Sequence, residues 1–288
     1  MLPARVAPEL LPGVPNLFTY ICTLLVGACV GSFLNVCVSR WPKEESVVRP
    51  RSRCPKCGHQ IAWYENVPLV SWLALRGRCR SCHEPISVVY PLLELTVALG
   101  WLAAVMQFGV TLTALRVAVF GTVLLGIMLT DATDYVIPDG FTVFGLFFGL
   151  AAALAAVWRG PGQPFAGPWD AALGACVGAG VIAIIGWLGE LAFKKEAMGF
   201  GDVTLMAMVG AYLGPGRSLL TVFLGAVIGA VAFLGAVLPI TYLRSRRRGV
   251  EFAPPLVPFG VFLAPAGMVA LLWGSDLVRW YVVGVLGL

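Results

Sequence analysis

Asp131 closes the apolar run 117–130, and Asp202 opens another, at the end of Gly199-Phe200-Gly201-Asp202 and just ahead of Val203-Thr204-Leu205-Met206. A carboxylate at the edge of a membrane-crossing segment is costly unless it has a partner or a chemical task, and two of them suggest an aspartic dyad working at a membrane surface. Hydrolysis of a peptide bond by such a dyad needs two carboxyls close enough to share a proton. One, ionised, takes a proton from the attacking water, while the other, protonated, hydrogen-bonds the scissile carbonyl. The two titrations then belong to the pair rather than to either residue. Gly199 and Gly201 are expected to admit an extended substrate and to supply backbone conformations closed to other residues. Nearby, Pro138-Asp139 reads as a helix start with a carboxylate set against the dipole, and Asp134 as a solvated loop residue. Asp131, nearest the apolar run, is therefore the better catalytic choice. The competing reading of Asp202 is a helix cap after Gly201.

A second chemical cluster lies in one polar loop. Cys54-Pro55-Lys56-Cys57 and Cys79-Arg80-Ser81-Cys82 are two C-x-x-C knuckles with 21 residues between them. Four thiolates in two such pairs match a tetrahedral structural zinc site. The flanking Arg53, Lys56, Arg78 and Arg80 favour thiolate formation, and metal binding would supply folding energy to a loop with little apolar sequence. Labile redox thiols are the alternative, and two disulfides are disfavoured on a reducing side of the membrane. His59 and His83 could replace a ligand, but four cysteines suffice. The remaining cysteines, Cys22, Cys29, Cys37 and Cys176, fall in apolar spans and read as small buried hydrophobes.

The elements that must position these groups are transmembrane helices. Hydrophobic residues make up 59% of the 288 and charged ones 12%, with mean hydropathy +0.86; soluble domains carry about a quarter charged residues. Apolar windows fall at 16–38, 88–107, 112–131, 139–158, 171–193, 201–213 (short), 218–243 and 256–274, with 277–288 either interfacial or an extension of the eighth. The expected fold is an all-α polytopic membrane protein of about eight helices, with the tetracysteine loop between the first two. Its parts are an N-terminal segment and first span (1–38), the loop (39–87) and a helical core (88–288). Arg5 and the Pro-broken segment 8–15 do not read as a cleavable signal, so the first span is expected to be retained. Gly174/Gly178 and Gly225/Gly229 have the spacing of closely packed helices.

Basic residues set the expected orientation. The loop 39–87 carries nine, and alternate threading brings Lys194, Lys195 and the cluster Arg244, Arg246, Arg247, Arg248 to the same side. That side holds fifteen of the twenty basic residues and should be cytoplasmic. The threading also brings Asp131 and Asp202 to that side, although neither was used to derive it.

At these motifs the chain closely resembles the type IV prepilin leader peptidases, GxGD-type aspartic peptidases of the bacterial cytoplasmic membrane. The resemblance runs from about residue 25 to 270. It rests on Gly31-Ser32-Phe33-Leu34-Asn35-Val36 with Arg40 and Pro42, the two knuckles, Asn66-Val67-Pro68, Ser71-Trp72, and Tyr90-Pro91-Leu92-Leu93-Glu94. It continues through Asp131, Ile137-Pro138-Asp139, Gly199-Phe200-Gly201-Asp202 and Pro258-Phe259-Gly260. The resemblance implies removal of the short basic leader of prepilins and pseudopilins after a glycine, with Asp131 and Asp202 as the catalytic pair. It also implies N-methylation of the new terminus from S-adenosylmethionine, with the Gly31–Val36 segment and the cysteine loop, Cys54, Cys57, Cys79 and Cys82, belonging to that second activity. The implied setting is the lipid bilayer, with an indirect link to pilus or type II secretion assembly. Two departures are visible: Thr204 stands where the family often has Lys, and Asp134 where it often has His.

Other classes compete. A peptidase-only enzyme with a structural zinc loop lacks nothing the residues show, since no glycine-rich fingerprint marks a methyl-donor site. A proton-coupled transporter would place its carboxylates near the bilayer midplane rather than at helix ends on one side. A zinc-anchored scaffold of a secretion assembly would not depend on the aspartates for catalysis. A nucleic-acid-binding ribbon is disfavoured because the loop is tethered between two spans. Glu94, near the start of the second span, is expected to pair internally with loop arginines, with the basic leader as the alternative partner.

Overall fold

The computed structural model describes residues 15–157, 164–195, 198–248, 257–285 and 287. The N-terminal Pro-broken segment and Arg159 lie outside them, as does the side chain of Arg248. The elements are helices α1 (Leu17–Arg40), α2 (Val70–Ala74), α3 (Val89–Phe108), α4 (Leu112–Asp134), α5 (Asp139–Val157), α6 (Pro168–Phe193), α7 (Phe200–Leu213), α8 (Pro215–Ala232), α9 (Leu238–Arg248) and α10 (Gly260–Arg279). Short 3-10 turns occupy Trp41–Lys43 and Trp63–Glu65. One π-helical turn joins α8 to α9, and another continues α10 from Trp280 to Val285. The stretch after residue 277 therefore extends the last helix. No strand occurs among the described residues.

Among the described residues, seven helical segments are long and apolar enough to cross a membrane. The eighth, α7, has 14 residues, about 21 Å at 1.5 Å per residue, short of a hydrocarbon core of about 30 Å. The boundaries follow local chemistry. Asn16 caps α1, its Oδ1 accepting from the backbone N–H of Thr19 at 3.0 Å. Pro42 terminates the helix. Gly214 takes a left-handed φ of 78° between α7 and the Pro215 that opens α8, so these helices join without a loop. The structure moves two expected ends. α4 runs on to Asp134, placing Asp131 inside its last turn. The arginines after residue 243 belong to helix α9 rather than to a loop.

The chain divides after Thr122 into two compact units. In the first, α1 and α3 lie side by side at glycine contacts: a Cβ on Gly31 would come within 2.7 Å of the Glu94 Cα. The second is built round α7, whose residues from Leu205 to Leu213 are buried apart from Ala207. Helices α5, α6, α8 and α10 pack on it. Gly174 and Gly178 do set a close helix approach: a Cβ on Gly174 would collide with the Gly210 carbonyl, and one on Gly178 with the Met206 carbonyl. Gly225 and Gly229 face the side chains of Leu263 and Phe262 of α10, which an added Cβ would meet at 2.8 and 3.2 Å. The membrane cysteines differ from expectation. Cys37 alone of the four is buried, while Cys29 and Cys176 lie on exposed helix faces and Cys22 is half-buried.

Candidate active site and metal-binding loop

Asp131 and Asp202 come together in the second unit, close enough for their charges to interact. Asp131 is buried at 5% exposure in the last turn of α4. Its Oδ2 accepts the backbone N–H of Val261 at 3.0 Å, with the Gly260 amide beside it. These are first-turn amides of α10, which have no partner within their own helix. The carboxylate of one helix thus satisfies the start of another, 130 residues away. Asp202 lies in the first turn of α7. Its carboxylate reaches back to the backbone of Gly199, the residue before the helix, as in half of a capping box. One oxygen, Oδ1, is buried with no hydrogen-bond partner. A buried acceptor left unsatisfied costs about 1–3 kcal/mol and is an opening for a substrate group or a proton.

Two groups not singled out as site residues fix this arrangement. Ile137, in the connection between α4 and α5, lies against both Gly201 and Gly260: a Cβ on Gly201 would come 2.8 Å from the Ile137 Cβ, and one on Gly260 would come 2.9 Å from its Cδ1. That same Cβ on Gly260 would lie 2.8 Å from Asp131 Oδ2. Asp131, Gly260, Ile137 and Gly201 therefore form one chain of contacts ending beside Asp202. The sequence signals for these partners are Ile137-Pro138-Asp139 and Pro258-Phe259-Gly260, motifs of the resemblance to which no chemistry was attached. The glycines of the tetrad act differently from expectation. Gly199 has an ordinary φ of −74°, and neither Gly199 nor Gly201 has positive φ. Gly201 is required for close approach, not for an unusual backbone. Thr204 donates its hydroxyl to the Gly201 carbonyl at 3.0 Å, and Asp134 is exposed at the end of α4, accepting from Thr133 Oγ1 at 2.6 Å.

In the first unit the four loop cysteines converge. The Sγ atoms of Cys54, Cys57, Cys79 and Cys82 all lie within 4.8 Å of one another, and the Cys54–Cys82 and Cys57–Cys79 pairs are each 3.9 Å apart. A tetrahedron with metal–sulfur bonds of about 2.3 Å has sulfur–sulfur edges of about 3.8 Å, so the donor set fits a thiolate-bound metal such as zinc. The backbone explains why the thiols converge, because the knuckles repeat each other at an offset of 25 residues. Cys54 N–H donates to the His59 carbonyl and Cys79 N–H to that of Glu84; Gly58 N–H donates to Cys54 and His83 N–H to Cys79; Ile61 pairs with Ser52 and Ile86 with Gly77. Gly58 and His83 both have left-handed φ, at 73° and 57°. The backbone N–H groups of Cys57 and Lys56 pull the Cys54 thiol down to about 6, whereas, against the Glu84 N–H, burial and the three neighbouring thiols push that of Cys82 up to about 12, so without a metal the four thiols do not ionise together.

Glu65 ties the knuckles together. Its Oε2 accepts from Ala62 N–H at 3.0 Å and faces His59 Nε2 at 3.3 Å, while Oε1 accepts from Arg80 at 3.3 Å. The Ala62 N–H, then His59 and Arg80, hold its carboxyl below the usual range. His59 is thus a hydrogen-bond partner of Glu65, outside the thiol cluster. Glu94 also has an internal partner, though not an arginine: its Oε2 accepts the backbone N–H of Leu69 at 2.7 Å. A backbone amide meets this buried carboxylate's need at less desolvation cost than a second charge.

The chain matches two described families over these same segments. The bacterial peptidase A24 N-terminal domain matches residues 25–108, and the type IV leader peptidase family matches residues 118–234. A prepilin leader peptidase/N-methyltransferase of Myxococcus xanthus is 40% identical over 265 residues, covering 88% of this chain and 76% of that protein. Its counterpart in Pseudomonas aeruginosa is 38% identical over 287 residues, covering 91% and 93%. That of Aeromonas hydrophila is 35% identical over 302 residues, covering 96% and 98%. No solved structure matches the chain.

Proposed function

We propose that this chain, which belongs to the type IV leader peptidase family, is a bifunctional membrane enzyme that removes the basic leader of type IV prepilins and pseudopilins and then N-methylates the exposed terminus from S-adenosylmethionine. The observation that carries the peptidase half is the meeting of two carboxylates, one anchored and one with an unpartnered oxygen. Asp131, already receiving N–H donors, is the base: it takes a proton from water as the water oxygen attacks the scissile carbonyl carbon. N–H donors stabilise a carboxylate anion more than a neutral acid. Asp202 is the acid, presenting the proton on Oδ1 to the carbonyl oxygen and stabilising the charge that develops there. The tetrahedral intermediate collapses as the C–N bond breaks, and the leaving nitrogen takes the proton.

The bias of Lys and Arg supports an orientation with the dyad on the cytoplasmic side of the inner membrane. Because α7 is shorter than the hydrocarbon core, its Asp202 end lies below that surface when Gly214 sits at the other. A prepilin, a basic leader followed by a long apolar helix, would offer its junction at that depth. Cys54, Cys57, Cys79 and Cys82 would hold zinc, which supplies the loop with a cross-link that its small apolar content does not.

The test is incubation of the purified, detergent-solubilised protein with a prepilin and labelled S-adenosylmethionine. Leader loss on a gel and label on the mature N-terminus by mass spectrometry are expected together. Cleavage without label would reduce the function to peptidase alone, and a folded protein that cleaves no prepilin would refute the reading.

A further inference from the structure

Arg40 and Asn66 belong to motifs that carry the resemblance, yet neither has a part in the dyad or the thiol cluster. The structure brings them, 26 positions apart in sequence, to one cavity of about 300 Å³ at the end of α1. Trp63 and Arg51 share its lining. The volume is at the lower end of small-molecule sites, about 300–1,000 Å³. Trp63 is 76% exposed and meets the neighbouring Tyr64 ring edge-on, with centroids 5.8 Å apart. Arg40 spends one donor on the Ser46 carbonyl at 2.9 Å, which fixes the guanidinium and leaves the rest of its fork. No carboxylate lines the cavity among the described residues.

Resting on the methyl-transfer half of the proposed function, we propose that this cavity is the S-adenosylmethionine site, with adenine against Trp63, the carboxylate on Arg40 and Arg51, and the Asn66 amide hydrogen-bonding the nucleoside. An exposed aromatic face suits a purine by stacking. Guanidinium forks suit a carboxylate by paired hydrogen bonds. Methyl transfer breaks the methyl–sulfur bond as a methyl–nitrogen bond forms, turns a sulfonium into a neutral thioether, and releases one amine proton to water. Two guanidinium groups disfavour an ammonium beside them and so favour the neutral, nucleophilic amine of the incoming terminus. They have a further consequence. The donor carries net charge +1 and the product S-adenosylhomocysteine none, so a cavity with two cations and no anion holds the product more tightly than the donor.

This placement gives the zinc loop a role. Ser52 and Ile61 line the same cavity and are paired to each other, Ile61 N–H donating to the Ser52 carbonyl at 2.8 Å, as the outer rung of the first knuckle. Folding of that knuckle builds one wall. Loss of metal would open the wall without touching Asp131 or Asp202.

Calorimetric titration of the full-length protein in detergent with S-adenosylmethionine and with S-adenosylhomocysteine tests the assignment, with methylation of cleaved pilin assayed in parallel and leader cleavage measuring folded enzyme. The product is expected to bind several-fold more tightly than the donor. Trp63→Ala and Arg51→Ala should each weaken both ligands by about tenfold or more, and Trp63→Phe should restore most of the loss. Should Trp63→Ala not accumulate, Arg51→Ala, at an exposed side chain, carries the test. Unchanged binding and methylation in the variants would overturn the site while leaving the bifunctional reading intact. Tighter binding of the donor than of the product would overturn the charge assignment of the cavity. A wild-type protein that cleaves but binds neither ligand would overturn both the site and the methyl-transfer reading.

Discussion

Gly260 is the residue through which the position of Asp131 is most sensitively tested. A Cβ there would press on Asp131 Oδ2 at 2.8 Å and on Ile137 at 2.9 Å, well inside van der Waals contact. Gly260→Ala is therefore expected to displace the carboxylate while removing no catalytic group. Leader cleavage should fall about tenfold or more, since small misplacements of reacting groups have large rate costs. Detergent-solubilised protein should accumulate normally; unaltered cleavage by Gly260→Ala would show that Asp131 is not held where the reaction needs it. At this scale much of the site was legible. Asp131 and Asp202 stand out because a carboxylate in an apolar run is conspicuous, and the cysteines because C-x-x-C spacing is a local signature. Ile137 and the first amides of α10 were not legible as partners. An apolar side chain and two backbone N–H groups look like any others until the fold brings them to Asp131.

Among the elements, α7 is the one on which the second unit depends. It is buried along nearly its whole length and is approached by α6 at Gly174 and Gly178, where side chains would strike backbone carbonyls. Backbone cannot yield as a flexible side chain can, so Gly178→Val should cost at least the 1–3 kcal/mol typical of overpacking. The expected outcome is a lowered melting temperature in detergent, with loss of cleavage following loss of fold. A Gly178→Val protein of wild-type melting temperature would mean that α6 and α7 do not approach as described. The sequence located the helices because apolar runs of membrane length are unmistakable, and small-residue spacing marked the contacts. It missed the run-on of α4 past Asp131 and the helical state of the arginines in α9. Polarity marks where a span leaves the bilayer, which is not where backbone hydrogen bonding stops. The lengthened α4 matters, since it turns Asp131 from a loop-edge residue into one oriented by a helix.

For the molecule as a whole, the thiol cluster falls in one compact unit and the aspartate pair in the other, and the two activities should be separable. Replacing Cys54, Cys57, Cys79 and Cys82 together by serine is expected to abolish the proposed zinc binding and to lower methylation far more than leader cleavage. Metal analysis and the two assays on one preparation check this, and near-normal methylation by zinc-free protein would refute it. Apolar length made the membrane-length helices readable, and the charge bias supports the proposed orientation. The repeat of the two knuckles at an offset of 25 residues was not, because it is carried by backbone hydrogen bonds and left-handed φ values rather than by similar side chains. The central claim, that Asp131 and Asp202 form the catalytic pair, is tested most directly by leader cleavage with Asp131→Asn and Asp202→Asn. Each isosteric amide should reduce cleavage by about a thousandfold or more while bound zinc and methylation of a pre-cleaved pilin remain. Substantial cleavage by either variant would contradict the account.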